Sequence, residues 1–213
     1  MVAYRHGECY INPMRKSHST TFHYFLFNKP SGVLSQFTGE YARVTLRHFG
    51  PFPPDVYPAG RLDADSEGLL LLTNDPEVKH RLTEPKFEHP RTYWVQVERI
   101  PPEEVLERLR SGVVIEGKRT RPAEVKVLPN EPSLPPRPVP IRFRKSVLTG
   151  WLEITLREGR NRQIRKMTAV VGHPTLRVVR VRIGSLSLEG MNPGEMRELN
   201  ALELRRLRKE LGL

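Results

Sequence analysis

The chain has 213 residues, 38% hydrophobic and 28% charged, enough for one large domain or two small lobes around a real core. Its 35 Lys and Arg against 24 Asp and Glu give a net charge of +11, which points to a polyanionic partner, nucleic acid or an anionic membrane. No apolar run of about 18 residues, signal-peptide core or sustained basic amphipathic helix supports the membrane, and one cysteine, Cys9, allows no internal disulfide or zinc cluster and fits a reducing cytoplasm.

Residues 1–21 lack apolar periodicity and read as a flexible basic arm, with 22–213 as the folded domain, split into lobes at roughly 22–90 and 91–213. HYFLFN (23–28) is a strand, turned by Pro30, Ser31 and Gly32. TLRHFG (45–50) is a short amphipathic piece and PFPPDVYPAG (51–60) a Pro-rich connector. GRLDADSEGLLLLTND (60–75) then joins three carboxylates, Asp63, Asp65 and Glu67, to the four leucines of a buried strand. Asp75 caps a helix that starts at Pro76, turns Val78 and Leu82 inward and ends at Pro85.

TYWVQVE (92–98) alternates like a half-buried strand. PPEEVLERLRSG predicts a helix with Pro102 near its start, Val105, Leu106 and Leu109 inward and Gly112 as terminator, after which VVIEGK and AEVKVL give a strand, a turn and a strand. PNEPSLPPRPVP (129–140) has six prolines and reads as a stiff extended crossing. WLEITLRE resumes strand alternation. GRNRQIRKMTAVVG predicts a helix starting near Arg160, with Ile164, Met167 and Val171 inward and Gly172 closing it. LRVVRVRIG alternates Val and Arg like a strand at a binding surface, and Asn200 with Glu203 caps a last helix striped by Leu204, Leu207 and Leu211. Hairpins mixed with isolated helices, without regular β-α-β alternation, make the class α+β.

The acid cluster admits three accounts. Asp63, Asp65 and Glu67 fit a solvated turn before a core strand. Asp63, Asp65, Glu67 and Gly68 also fall on positions one, three, five and six of a calcium loop, but position twelve holds Asn74 in place of the bidentate Glu and no helix precedes it. As chemistry, a carboxylate kept in a groove for phosphates either reacts or pairs with a cation, and Asp63, between Arg61 and Leu62 and the leucine strand, is the natural candidate. LREGRNRQIRKM supplies cations, with Arg162 and Arg165 side by side at i, i+3; by itself such a run reads equally as a solvated basic face.

These segments resemble a known family. GRLDADSEGLLLLTND is similar to the catalytic motif of pseudouridine synthases that act on ribosomal RNA, FNKPSGVLS to the first motif, RTYWVQV to the tyrosine strand, EGRNRQIRKM to the arginine helix and VRIGSLSLEGMNPGEMREL to the C-terminal segment. The similarity runs from about Phe25 to Leu199, and with only about 21 residues ahead of the first motif the S4 domain that many members carry is expected to be absent. With PIRFRKSVLTGWLEITL, it is strongest to members acting on 23S, large-subunit, rRNA.

The resemblance implies a pseudouridine synthase fold, a mixed and mainly antiparallel sheet with flanking helices around a central RNA-binding cleft. It implies that Asp63 is the nucleophile or base that attacks the target uridine, that Tyr93 stacks on the flipped uracil and helps move a proton, and that Arg165 pairs with Asp63 and holds it ionised. Arg61 would enter the RNA stack in place of the extruded base, while Lys29, Arg157, Arg160, Arg162 and Lys166 would meet the RNA. No cofactor or metal is expected, no obligate protein partner, and a monomer. A non-catalytic ribosome-assembly protein and a metal-dependent nuclease built on Asp63, Asp65 and Glu67 are the rival readings.

Overall fold

The computed structural model describes residues 21–39, 43–137 and 148–213. Nearly all of the basic arm with Cys9, and the second part of the proline crossing with RFRKSV, lie outside the described residues.

The apolar run YFLFNK folds as β1 (Tyr24–Lys29), all six residues buried. The leucines form β3 (Glu67–Thr73), buried throughout, antiparallel to β1 from Tyr24 opposite Thr73 to Lys29 opposite Gly68. Two residues of the Pro-rich connector, β2 (Tyr57–Pro58), pair with the far end of β3. The other long strands are β4 (Arg91–Glu98), β7 (Glu124–Leu128), β8 (Thr149–Leu156) and β9 (Thr175–Ile183). A small hairpin, β5 (Val114–Ile115) and β6 (Lys118–Arg119), stands apart, and short β10 (Leu186–Ser187) and β11 (Met196–Glu198) complete the strands. The main sheet runs β11-β1-β3-β9-β4-β8-β7, with β10 on β9 and β2 on β3. All its pairs are antiparallel except β3 and β9. The class is α+β, and the sheet is mixed and mainly antiparallel as expected.

Four helices flank it. α1 (Pro76–Thr83) starts as read, the Asp75 carboxylate accepting from the amides of Glu77 and Val78. α2 (Glu103–Ser111) packs Val105, Leu106 and Leu109 into a core shared with β4 and β8. α4 (Ala201–Leu211) has the expected Asn200–Glu203 capping box. α3 (Gln163–Val170) begins three residues later than predicted. Gln163 stops the helix short of Arg160: its side chain accepts from the Arg160 amide at 3.0 Å and donates to Glu158 at 2.7 Å. Arg162 is left as a cap in left-handed conformation, φ 50°, which costs a non-glycine residue about 1–3 kcal/mol.

The expected boundary near residue 90 does not describe the packing. After β9 the chain returns to its beginning: β11 pairs with β1, and Leu207 and Leu211 of α4 share a core with Tyr24, Leu69 and Leu71. LRVVRVRIG is also not a surface strand. β9 lies between β3 and β4, so Arg177 and Arg180 are buried and Arg182 alone of its arginines is exposed.

The one parallel contact is narrow. Glu67 and Gly68 face Val179 and Arg180, and Gly68 has φ +105°. A Cβ on Gly68 would sit 2.3 Å from the Arg180 carbonyl oxygen and 2.7 Å from its nitrogen. Gly68→Ala is therefore expected to destabilise the fold by about 3 kcal/mol or more, measured by urea unfolding, because neither backbone can retreat.

Candidate active site

Residues 60–66 lead into β3 as a loop whose carbonyls are held from outside. The Ser35 hydroxyl donates to Leu62 O at 2.8 Å and accepts from Leu62 N at 3.0 Å. Ala64 O accepts from Gly32 N at 2.7 Å and from the Lys29 ammonium at 3.3 Å. Asp65 O accepts from Arg165 at 3.2 Å and Arg137 at 3.4 Å. Leu62 is buried among Phe27, Leu70 and Leu72. The side chain of Asp63, between these fixed points, is 34% exposed.

The loop forms one wall of a cleft of about 600 Å³. Arg160, Arg162 and Arg165 line the other wall, with Tyr93, Val178 and Arg180 from β4 and β9 between them. Arg61 and Arg91 are on the same cleft. The structure thus gathers Asp63, Tyr93, Arg165, Arg61, Arg160 and Arg162 around one opening.

The pairing inside differs from the expected Arg165–Asp63 ion pair. Arg162 grips Asp65 with both terminal nitrogens, at 3.1 and 2.8 Å, and Arg165 reaches the same carboxylate at 3.2 Å. The contact to Asp63 comes from Arg162, at 3.8 Å. The left-handed Arg162 is what turns its side chain across the cleft. Burial opposes ionisation of Asp65, but the hydrogen bonds from Arg162 and the charge of Arg165 outweigh it and hold its carboxyl below the usual carboxylate value. Burial also pulls Arg165 below the usual arginine value, against the attraction of Asp65.

Asp65 does sit in a turn with its side chain 44% exposed, though ion-paired, whereas Glu67 is not a solvated turn residue. Glu67 is 7% exposed and faces the opposite side of the sheet, where it meets Arg177 at 2.7 Å and Arg137 at 2.9 Å. Arg177 also donates to Pro135 O at 2.9 Å, tying the proline crossing down. With Glu67 on one face and Asp63 on the other, the three acids do not converge on one ion.

Lys29 is a correction as well. It was expected at the RNA, but it is 0% exposed, and its ammonium donates to Pro30 O and Val33 O at 2.8 Å besides Ala64 O. Burial lowers its pKa to about 8, against the pull of Glu67, Asp65 and Asp63. Arg157 and Lys166, also expected at the RNA, are not among the residues that line the cleft: Arg157 pairs with Glu124 at 3.4 Å and Lys166 with Glu116 at 2.7 Å, while Arg160, on the cleft wall, pairs with Glu158 at 3.2 Å. Sequence reasoning passed over Arg91 and Arg180; a buried central strand carrying arginine was the signal, and it needs the strand order to be read.

A cation-walled cleft with a half-exposed carboxylate beside a tyrosine defines an enzyme that works on a polyanion. Comparison with known proteins makes this specific. Residues 23–170 match the family model of RNA pseudouridylate synthase. Ribosomal large subunit pseudouridine synthase E of Xanthomonas axonopodis pv. citri (strain 306) is 55% identical over 170 residues, covering 79% of this chain and 89% of that protein. Ribosomal large subunit pseudouridine synthase B of Bacillus subtilis (strain 168) is 39% identical over 186 residues, covering 87% and 71%. A crystal structure of a pseudouridylate synthase aligns with TM-score 0.73 at 29% identity, over 88% of this chain and 74% of that one. The chain belongs to the RNA pseudouridylate synthase family, and it is an isomerase with that fold.

Two outcomes follow from the loop. Asp65→Ala releases both guanidiniums, and a misplacement of about 1 Å is expected to lower pseudouridine formation by about 10²-fold. Thermal stability should change little, because the Asp65 side chain is 44% exposed. For Lys29, between about pH 8 and 10.5 the unfolded chain holds a proton that the folded chain has shed, so its contribution to stability rises with pH across that window. Urea unfolding of wild type should show this rise, and Lys29→Met should lack it.

Proposed function

We propose that this chain isomerises a specific uridine of large-subunit, 23S, ribosomal RNA to pseudouridine, with Asp63 as the nucleophile or base. The observation that carries the role of Asp63 is its placement: a carboxylate on a loop with three clamped carbonyls, partly open to a cleft shared with Tyr93 and six arginines. The names of the relatives support the substrate class.

Pseudouridine forms when the base leaves C1′ through N1, rotates and rejoins through C5, with no change of redox state. A fixed carboxylate serves by adding to carbon or by taking the 2′ proton. A duplex buries its uridines, so the target is flipped into the cleft, where the ring of Tyr93 offers a stacking surface and Arg61 stands at the mouth to fill the gap left in the RNA. Arg165 acts on Asp63 as part of a shared cluster with Arg162 and Asp65. Arg157, Arg160, Arg162 and Lys166 meet phosphates. Their carboxylate partners are 44–70% exposed for Arg157, Arg162 and Lys166, and such pairs are worth at most about 1 kcal/mol each, so a phosphate can replace them.

The single cysteine and the rRNA substrate put the reaction in the cytoplasm under this reading; among the described residues no helix is long and apolar enough to cross a membrane.

Incubation with unmodified large-subunit rRNA, then carbodiimide mapping, tests the assignment. Wild type is expected to give one new stop, in EDTA as in magnesium, and Asp63→Asn to reduce its rate of appearance by at least about 10³-fold while still binding RNA. No stop with wild type, or an undiminished one with Asp63→Asn, defeats the reading; RNA cleavage that needs magnesium favours the nuclease.

A further inference from the structure

The floor of the cleft holds a buried cation with no task in the reaction as described. Arg180, in the middle of β9, is 3% exposed and lines the cleft with Tyr93 and Asp63. Its Nε donates to Leu69 O at 2.7 Å, and its guanidinium interacts with the Tyr93 side chain. Its Nη2 is buried and has no hydrogen-bond partner among the described residues. No carboxylate is among the groups that act on it, and the nearby Arg91 repels it. Asp65 is already occupied by Arg162 and Arg165.

An unpaired buried guanidinium is strongly unfavourable. Its Nε bond to Leu69 O and its burial hold the side chain in place, on a backbone packed against Gly68. Such a group persists where an acceptor arrives with the ligand.

We propose that Arg180 is a substrate-binding residue of this cleft: its free Nη2 donates to a carbonyl oxygen of the flipped pyrimidine and holds the negative charge that the ring gains during the reaction. This rests on the pseudouridylation proposed above. When the N1–C1′ bond breaks, its electron pair goes to the ring and spreads over N1 and the two carbonyl oxygens. A pair returns to C1′ as C5–C1′ forms; C5 then loses its proton to a base and N1 ends protonated. If the carboxylate first adds to C6, the C5–C6 pair moves onto the C4 carbonyl oxygen, one of the same two. Every route loads the oxygens, so a donor fixed in advance stabilises the transition state whichever route is used.

The test uses the full chain and an RNA spanning the mapped uridine, labelled with tritium at C5, in single turnover. Arg180→Met is expected to keep RNA affinity within about threefold and to lower the rate by about 10²–10³-fold, with Arg180→Lys recovering part of the loss. A structural role alone would also lower the rate, so the deciding readout is atomic. Sulfur is a weak acceptor, and 2-thio- or 4-thiouridine at the target should slow wild type by about tenfold or more at one of the two carbonyls, but Arg180→Met by less than about twofold there. Equal thio penalties in both proteins overturn the assignment of Arg180 while leaving the reaction standing. If Arg180→Met does not fold, the same comparison is made with Arg180→Lys. A wild type that releases no tritium sinks the reaction itself, and this proposal with it.

Discussion

The structure depends on how a seven-residue loop is made rigid without secondary structure of its own. Three carbonyls between Leu62 and Asp65 accept from groups that belong to other segments: the Ser35 hydroxyl, the Lys29 ammonium with the Gly32 amide, and the guanidiniums of Arg165 and Arg137. Lys29 has the heaviest burden. It is fully buried at the end of β1, and its ammonium ties the turn after β1 to the loop before β3. Burying an ammonium is unfavourable unless its donors are all used, and here three carbonyls use them. That geometry holds only while β1 and β3 keep their register, which places Lys29 opposite Gly68. Sheet pairing therefore reaches the position of Asp63 through one lysine.

Electrostatics divides the three acids by face and by depth. Glu67 lies on the far side of the sheet with two largely buried arginines, one of which also holds the proline crossing. Asp65 lies at the cleft but is taken by Arg162 and Arg165. The Asp63 carboxylate meets Arg162 at 3.8 Å, its one ion pair among the described residues. Coulomb attraction falls with distance and with the dielectric of partly exposed surroundings, so Asp63 is the least engaged of the three and the one open to a ligand. Asp65 holds both arginines beside Asp63, with the closer ion pairs going to Asp65.

Local chemistry was legible in the sequence; depth was not. Asp75, Pro76, Asn200 and Glu203 marked helix starts correctly, because capping is settled within a few residues. The leucine run and TYWVQVE gave their strands, because burial leaves a period in the chain. The motif resemblance brought Asp63, Tyr93 and Arg165 to attention, and they do line one cleft. The failures share a cause. Lys29, Glu67, Arg177 and Arg180 were read as surface or turn residues because they are charged; the burial of the last three follows only from β9 inserting between β3 and β4, and that of Lys29 from the β1–β3 register and the turn after it. That Arg165 meets Asp65 and not Asp63, and that Arg162 takes a left-handed backbone, are features with no sequence signature.

The net charge of +11 therefore has two parts with different meanings. Lys29, Arg177 and Arg180 lie inside, fixed by backbone carbonyls and Glu67, and no phosphate can reach them. They contribute to the potential that draws a polyanion toward the cleft, since a charge in low dielectric is weakly screened. Arg61, Arg157 and Arg162 are exposed, and for Arg157 and Arg162 the carboxylate partners are exposed too, so those pairs are worth little. A basic composition announces both kinds alike. The first kind shapes the site from inside and the second stands open at the surface, and only the burial of each residue tells them apart.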